Sequence, residues 1–170
     1  MPASMTRTFA APAAALACLL LAACASRFPA DAIRPGDTRD AVLTRLGQPS
    51  RVLALPDGGQ RLQYALQPGQ RAWMIDLDAA ERVTRSRQVL HAEGFARIAV
   101  DAWTREDVVR ELGPPARVER APGWDGPVLA YRWRDARGTD RIQWIHLDPQ
   151  GVVRRLQAGV EGSDRLAATP

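Results

Sequence analysis

Two periods of apolar residues run along this chain, and each occurs twice. Val42, Leu43 and Leu46 fall at helical spacing, and so do Val108, Val109 and Leu112. Alternation at period two follows each of them. Leu62, Tyr64 and Leu66 alternate with Arg61, Gln63 and Ala65, while Leu129, Tyr131 and Trp133 alternate with Ala130, Arg132 and Arg134. Further strands are predicted over 72–77 and 142–147, and then over about 83–90 and 152–160. Thr38 and Thr104 are placed to cap the helix starts, with Asp40, Glu106 and Asp107 in the first turns, where the helix dipole favours acids. Gly47 and Gly113 stand where a helix end needs a left-handed residue, and Pro49 and Pro115 forbid continuation. Asp78 to Glu81 and Asp148 to Gly151 read as hairpin turns, and Asp57-Gly58-Gly59 as a hairpin connection.

The duplication is visible residue by residue. Thr38 to Val52 laid over Thr104 to Val118 gives eight identities in fifteen positions at an offset of 66. Tyr64 then falls opposite Tyr131, Ile75-Asp-Leu-Asp78 opposite Ile145-His-Leu-Asp148, and Val83 opposite Val153. The expected fold class is α+β: two tandem helix-helix-three-strand units, each an antiparallel sheet with helices on one face. Phe28 to Ile33 and Phe95 to Ile98 are the expected first helical turns. The units span 28–90 and 91–160, with a disordered tail over 161–170. A unit of this size is marginal alone, so the two are expected to pack together.

The Thr-Arg opening, the Val-x-x-x-Leu-Gly-x-Pro helix end, the strand tyrosine and the Ile-x-Leu-Asp hairpin resemble the SmpA/OmlA (BamE-like) family of outer-membrane lipoproteins. The matching residues are Thr38, Val42, Leu46, Gly47, Pro49, Tyr64 and Asp78, and again Thr104, Val108, Leu112, Gly113, Pro115, Tyr131 and Asp148. The resemblance implies a non-enzymatic accessory factor of outer-membrane assembly or envelope integrity, with envelope proteins as partners. The tandem form is also similar in architecture to β-lactamase inhibitory protein, whose two units form one concave sheet. That similarity implies an alternative role as inhibitor or regulator of a periplasmic hydrolase.

The N-terminus points to the same compartment. Arg7 precedes an apolar run from Phe9 to Leu21, too short for the ~20 residues of a membrane-spanning helix. Leu21-Ala22-Ala23-Cys24 resembles a bacterial lipobox, which implies a signal peptide over 1–23, covalent lipid on Cys24, and a tether over 24–27. Several acyl chains anchor a protein stably where one does not. Ala25 and Ser26 lack the aspartate of inner-membrane retention, so the expected site is the periplasmic leaflet of the outer membrane. Cys18 leaves with the signal and Cys24 is lipidated, which excludes a disulfide, a thiolate metal site and a cysteine nucleophile in the body.

All 23 basic residues are arginine, against 19 acids, for a net charge of +4. The charges are interspersed, so no basic block predicts nucleic-acid binding. His91 and His146 are the only histidines and lie far apart in sequence, so no metal, cofactor or catalytic constellation is expected. His146 aligns with Asp76 and reads as a solvated strand position. Strand parity puts Ile75, Leu77, Ile145 and Leu147 on the helix side, together with Tyr64 and Tyr131. Arg61, Gln63, Met74 and Asp76 then share the opposite parity in the first unit, and Arg132, Arg134, Ile142, Trp144 and His146 in the second. Trp and Arg are enriched at interface hot spots. Arg132, Arg134, Trp144 and His146 are therefore the candidate partner-binding face, and Trp124, in a Pro-Gly loop, a candidate exposed anchor. Trp73 and Trp133 read as core, and Trp103 as a staple at the second helix start.

Overall fold

Each of the two eight-residue helices begins at a threonine whose side-chain oxygen accepts a backbone N–H. The computed structural model describes residues 29–66 and 70–162. The expected signal peptide, Cys24, the tether, Phe28 and residues 163–170 lie outside the described residues. A 3-10 turn, Pro29–Ala32, precedes α1, Arg39–Leu46, whose N-cap Thr38 accepts from Ala41 N. In the second half, α2, Ala92–Phe95, precedes α3, Arg105–Leu112. Thr104 and Asp107 form a reciprocal capping box there. The first helical turn of this half lies a few residues earlier than Phe95 to Ile98, because His91 serves as its N-cap.

α1 and α3 end at glycine, but not in the left-handed helical conformation. Gly47 has φ 75° and ψ −161°, and Gly113 has φ 81° and ψ −176°. This region is essentially closed to residues with a Cβ. The two repeat-related tyrosines follow from the same corner. Tyr64 Oη donates to Gly47 O at 2.9 Å and Tyr131 Oη to Gly113 O at 2.8 Å, each satisfying a helix-end carbonyl.

Two separate four-stranded antiparallel sheets follow. The first is β1 (Arg51–Ala54), β2 (Gln60–Leu66), β3 (Arg71–Leu77) and β4 (Val83–Gln88), in that order. The second is β5 (Arg117–Glu119), β6 (Val128–Arg134), β7 (Asp140–Leu147) and β8 (Val153–Val160), again in order. The expectation of three strands per sheet is therefore corrected to four. The added strands, β1 and β5, are short edges whose valines face solvent, Val52 at 46% exposure and Val118 at 51%, so no buried alternation marks them. Asp78 and Asp148 fold the β3–β4 and β7–β8 hairpins, each accepting two backbone N–H groups on one carboxylate oxygen. Glu161, expected in the frayed tail, instead donates its N–H to Asp140 O and pairs with Arg132.

The layers alternate helix, sheet, helix, sheet. Val42 of α1 packs with Leu62, Tyr64, Ile75, Leu77 and Val83 on the inner face of the first sheet. Phe95 of α2 and Val108 and Leu112 of α3 pack with Leu129, Tyr131, Trp133, Ile145 and Leu147 of the second sheet. The same cluster holds Ala72 and Met74 from the far face of the first sheet. Phe95 meets Tyr131 edge-on, ring centres 6.1 Å apart. Fully burying side chains such as Met74, Leu112 and Ile145 contributes about 1.5–3 kcal/mol each. The far face of the first sheet is thus covered by helices of the second half. The two sheets share no strand pairing and do not form one concave sheet. Among the described residues no helix is long and apolar enough to cross a membrane.

Candidate functional site

Directly paired residues in a sheet share a face, so the register defines the candidate surface. Val128 pairs with His146, Ala130 with Trp144, Arg132 with Ile142, and Arg134 with Asp140. On the other side Ile142 pairs with Gly159, Trp144 with Gln157, and His146 with Arg155. Arg132, Arg134, Trp144 and His146 therefore do lie on one face, the outer face of the second sheet.

Their exposure differs from the sequence expectation. Trp144 is 4% exposed and belongs to an apolar cluster with Val128, Ala130 and Ile142. His146 is wholly buried and not a solvated strand position. The reason is Trp124. It is no exposed anchor: its ring packs on this cluster, meets His146 edge-on at 5.1 Å, and its Nε1 donates to Leu147 O at 2.7 Å. Arg155 in turn lies over the Trp124 ring at 5.1 Å. Burial, and then the Arg155 charge, push the His146 pKa down, so the ring is held neutral. Arg132 is half-buried and paired with Glu161 at 2.5 Å, and Arg134 is exposed and paired with Asp140 at 2.7 Å. Trp144 Nε1 is buried with no hydrogen-bond partner among the described residues.

The first half shows what the corresponding face does there. Arg61, Gln63, Met74 and Asp76 occupy the positions of Val128, Ala130, Trp144 and His146 in the aligned repeat. That face receives α3. Gln63 Nε2 donates to Val109 O and Arg110 O, capping the last turns of the helix. Arg61 grips Asp76 through two bonds, Nε to Oδ1 at 2.5 Å and Nη2 to Oδ2 at 3.0 Å, and reaches Glu111 of α3 with Nη1 at 2.7 Å. Arg87 closes the square, with Nη2 3.0 Å from Glu111 Oε2. Burial works against the Arg61 charge, but Asp76 and Glu111 outweigh it and raise its pKa. Arg87 is pushed the other way, first by burial and then by Arg61. Asp76 is thus neither paired with another carboxylate nor solvated.

By contrast, the apolar cluster on the outer face of the second sheet contains no helix residue; its partly buried additions are Ala121 and Trp124 of the β5–β6 loop. The Arg61–Asp76–Glu111–Arg87 square was not anticipated from sequence. Its signal is the acid at Glu111, where the repeat has Arg45, and the opposed charges of Arg61 and Asp76 on paired strands.

His91 caps α2 and meets Glu93 with Nδ1 at 2.8 Å, in a different element from His146. No cluster of three His, Cys, Asp or Glu residues suited to a metal occurs among the described residues. Trp73 and Trp133 are buried in the cores, and Trp103 packs beside α3 on the larger one.

No protein-family model matches the chain. Among solved structures, it is similar to a DUF4309 family protein, YjgB, from Bacillus subtilis subsp. subtilis str. 168, at 16% identity and a TM-score of 0.32. The match covers 74% of this chain and 79% of that one.

Proposed function

We propose that this protein is a lipid-anchored periplasmic interaction module of the bacterial outer membrane, built from two copies of one helix-helix-sheet unit. Its role is that of a non-enzymatic accessory factor in outer-membrane protein assembly or envelope integrity. The lipobox ending at Cys24 and the doubled SmpA/OmlA-like pattern support the location and the class.

One observation carries the interaction reading. The outer face of the second sheet bears an apolar cluster that no helix of the described chain covers, whereas the aligned face of the first sheet is the seat of α3. The partner seats on that face over its Trp124–Arg155 cover, with Arg132 and Arg134 at its rim.

The test uses the acylated protein in its native envelope. A photo-crosslinking residue at Arg134 should yield one discrete adduct with an envelope protein, and the same residue at exposed Thr44 of α1 should not. Arg132→Ala should weaken the adduct without loss of folding. Equal labelling from both positions would remove the surface assignment. Cys24→Ser should abolish incorporation of a fatty-acid analogue, and retained incorporation would remove the anchor.

A further inference from the structure

The internal repeat supplies its own control for unpaired charge. Arg39 begins α1 and its Nε lies 3.8 Å from Glu81, whose carbonyl also accepts the Arg39 N–H. Arg105 begins α3 in the same way, with its N–H on Gly151 O, but the aligned residue is glycine and offers no carboxylate. The second pair behaves likewise. Arg117 at the start of β5 pairs with Glu119, two residues along the same face of that strand. Arg51 at the start of β1 has Leu53 in that place. Neither Arg51 nor Arg105 has an acid partner among the described residues, although the repeat counterpart of each does.

The two arginines meet at one groove. It lies between β1 and α3, with a volume of about 460 Å³. Leu53, Ala54 and Val109 supply its apolar lining. Arg51 and Arg105 supply positive charge beside the single lining acid Glu106, while Arg110, also in the lining, is paired with Asp107. β1 is an edge strand of the first sheet, so one side of its backbone has no strand partner, and Val52 is 46% exposed on it. The other edge of the same kind, β5, borders a hollow lined by Glu119, Arg120 and Asp125, where acids outnumber bases.

We propose that the groove between β1 and α3 binds an extended acidic peptide segment, which adds as a strand to the free edge of β1 and places carboxylates on Arg51 and Arg105. Strand addition draws affinity from main-chain bonds and specificity from alternate side chains. Alternate carboxylates on such a strand meet the guanidinium groups, which pair carboxylates bidentately. The apolar lining and the strand edge favour a peptide over a flat anionic membrane. This surface is separate from the outer face of the second sheet, and its test is independent of that reading.

Fluorescence anisotropy of a labelled peptide alternating Glu and Val, titrated with the full chain, tests this. Binding is expected to weaken at least tenfold in Arg51→Gln/Arg105→Gln. Leu53→Glu/Gly151→Glu, which restores the two acids of the repeat, should weaken it as strongly; Glu81 already tolerates φ 58° at the equivalent turn. A Lys-Val peptide, and a Glu-Val peptide with alternate N-methylated amides, should both bind at least tenfold more weakly to the unaltered chain. No binding of the Glu-Val peptide, or binding that ignores both substitutions or N-methylation, overturns the proposal. Arginine-dependent binding to phosphatidylglycerol vesicles without peptide binding overturns it in favour of a lipid headgroup.

Discussion

Replacing Asp76 by Ala strikes the junction where the two halves meet. Arg61 and Asp76 have side chains only 7% and 12% exposed. The substitution deletes two charge-assisted bonds and leaves Arg61 and Arg87 sharing Glu111 alone. Removing one partner of a buried ion pair costs roughly 3–5 kcal/mol, because the surviving charge stays in the low dielectric. Glu111 remains in place and is 20% exposed, which puts the expected cost at the low end, about 3 kcal/mol. For a chain of this size that is on the order of 10 °C in Tm. Urea unfolding followed by tryptophan fluorescence measures it. The double substitution Arg61→Met/Asp76→Leu removes one charge of each sign and leaves Arg87 paired with Glu111. It should recover to within about 1 kcal/mol of the original protein, since an apolar pair of similar volume replaces a buried ion pair at little loss. A cost below about 1 kcal/mol for Asp76→Ala, the range of exposed pairs, would show that water reaches the junction. A double variant as unstable as the single would show that the square is worth more than its charges.

Two further predictions follow from the second sheet and the helix ends. His146 has a pKa lowered first by burial and then by Arg155, with Gln157 and Trp124 as its other neighbours, so the folded chain favours the neutral ring. Its stabilisation is complete above the unfolded value near ~6.5 and is lost as pH falls below it. Urea midpoints should therefore fall between pH 7.5 and 5, and less so in His146→Gln; an unchanged slope would refute this, since Asp107 and Asp148, whose pKa values are lowered by backbone bonds, lose their share only under stronger acid. Gly47→Asn should destabilise as much as Gly47→Ala, each by roughly 1–3 kcal/mol, because φ 75° with ψ −161° excludes asparagine as well; a tolerated asparagine would contradict that backbone.

Local chemistry was legible in the sequence, and its reach across the molecule was not. Thr38, Thr104, Asp78 and Asp148 act on backbone within four residues, so spacing alone located their caps and turns. Strand parity also placed Arg132, Arg134, Trp144 and His146 on one face. Parity cannot say what lies against a face. Arg61 and Gln63 have the parity of solvent-facing residues, yet α3, some 46 to 50 positions later, buries them. His146 is covered by Trp124 from a loop whose Pro and Gly gave no packing signal. β1 and β5 escaped because an edge strand with an exposed valine has no buried alternation to read.

The seat that the first sheet offers to α3 also has a temporal side. A chain emerging N-terminus first, from a ribosome or a translocation channel, completes all four strands of the first sheet by Gln88. Met74, Gln63 and the Arg61–Asp76 pair must then wait for Leu112 before their cover exists. Over that interval the nascent chain presents the half-finished surface that its second sheet keeps helix-free in the completed molecule.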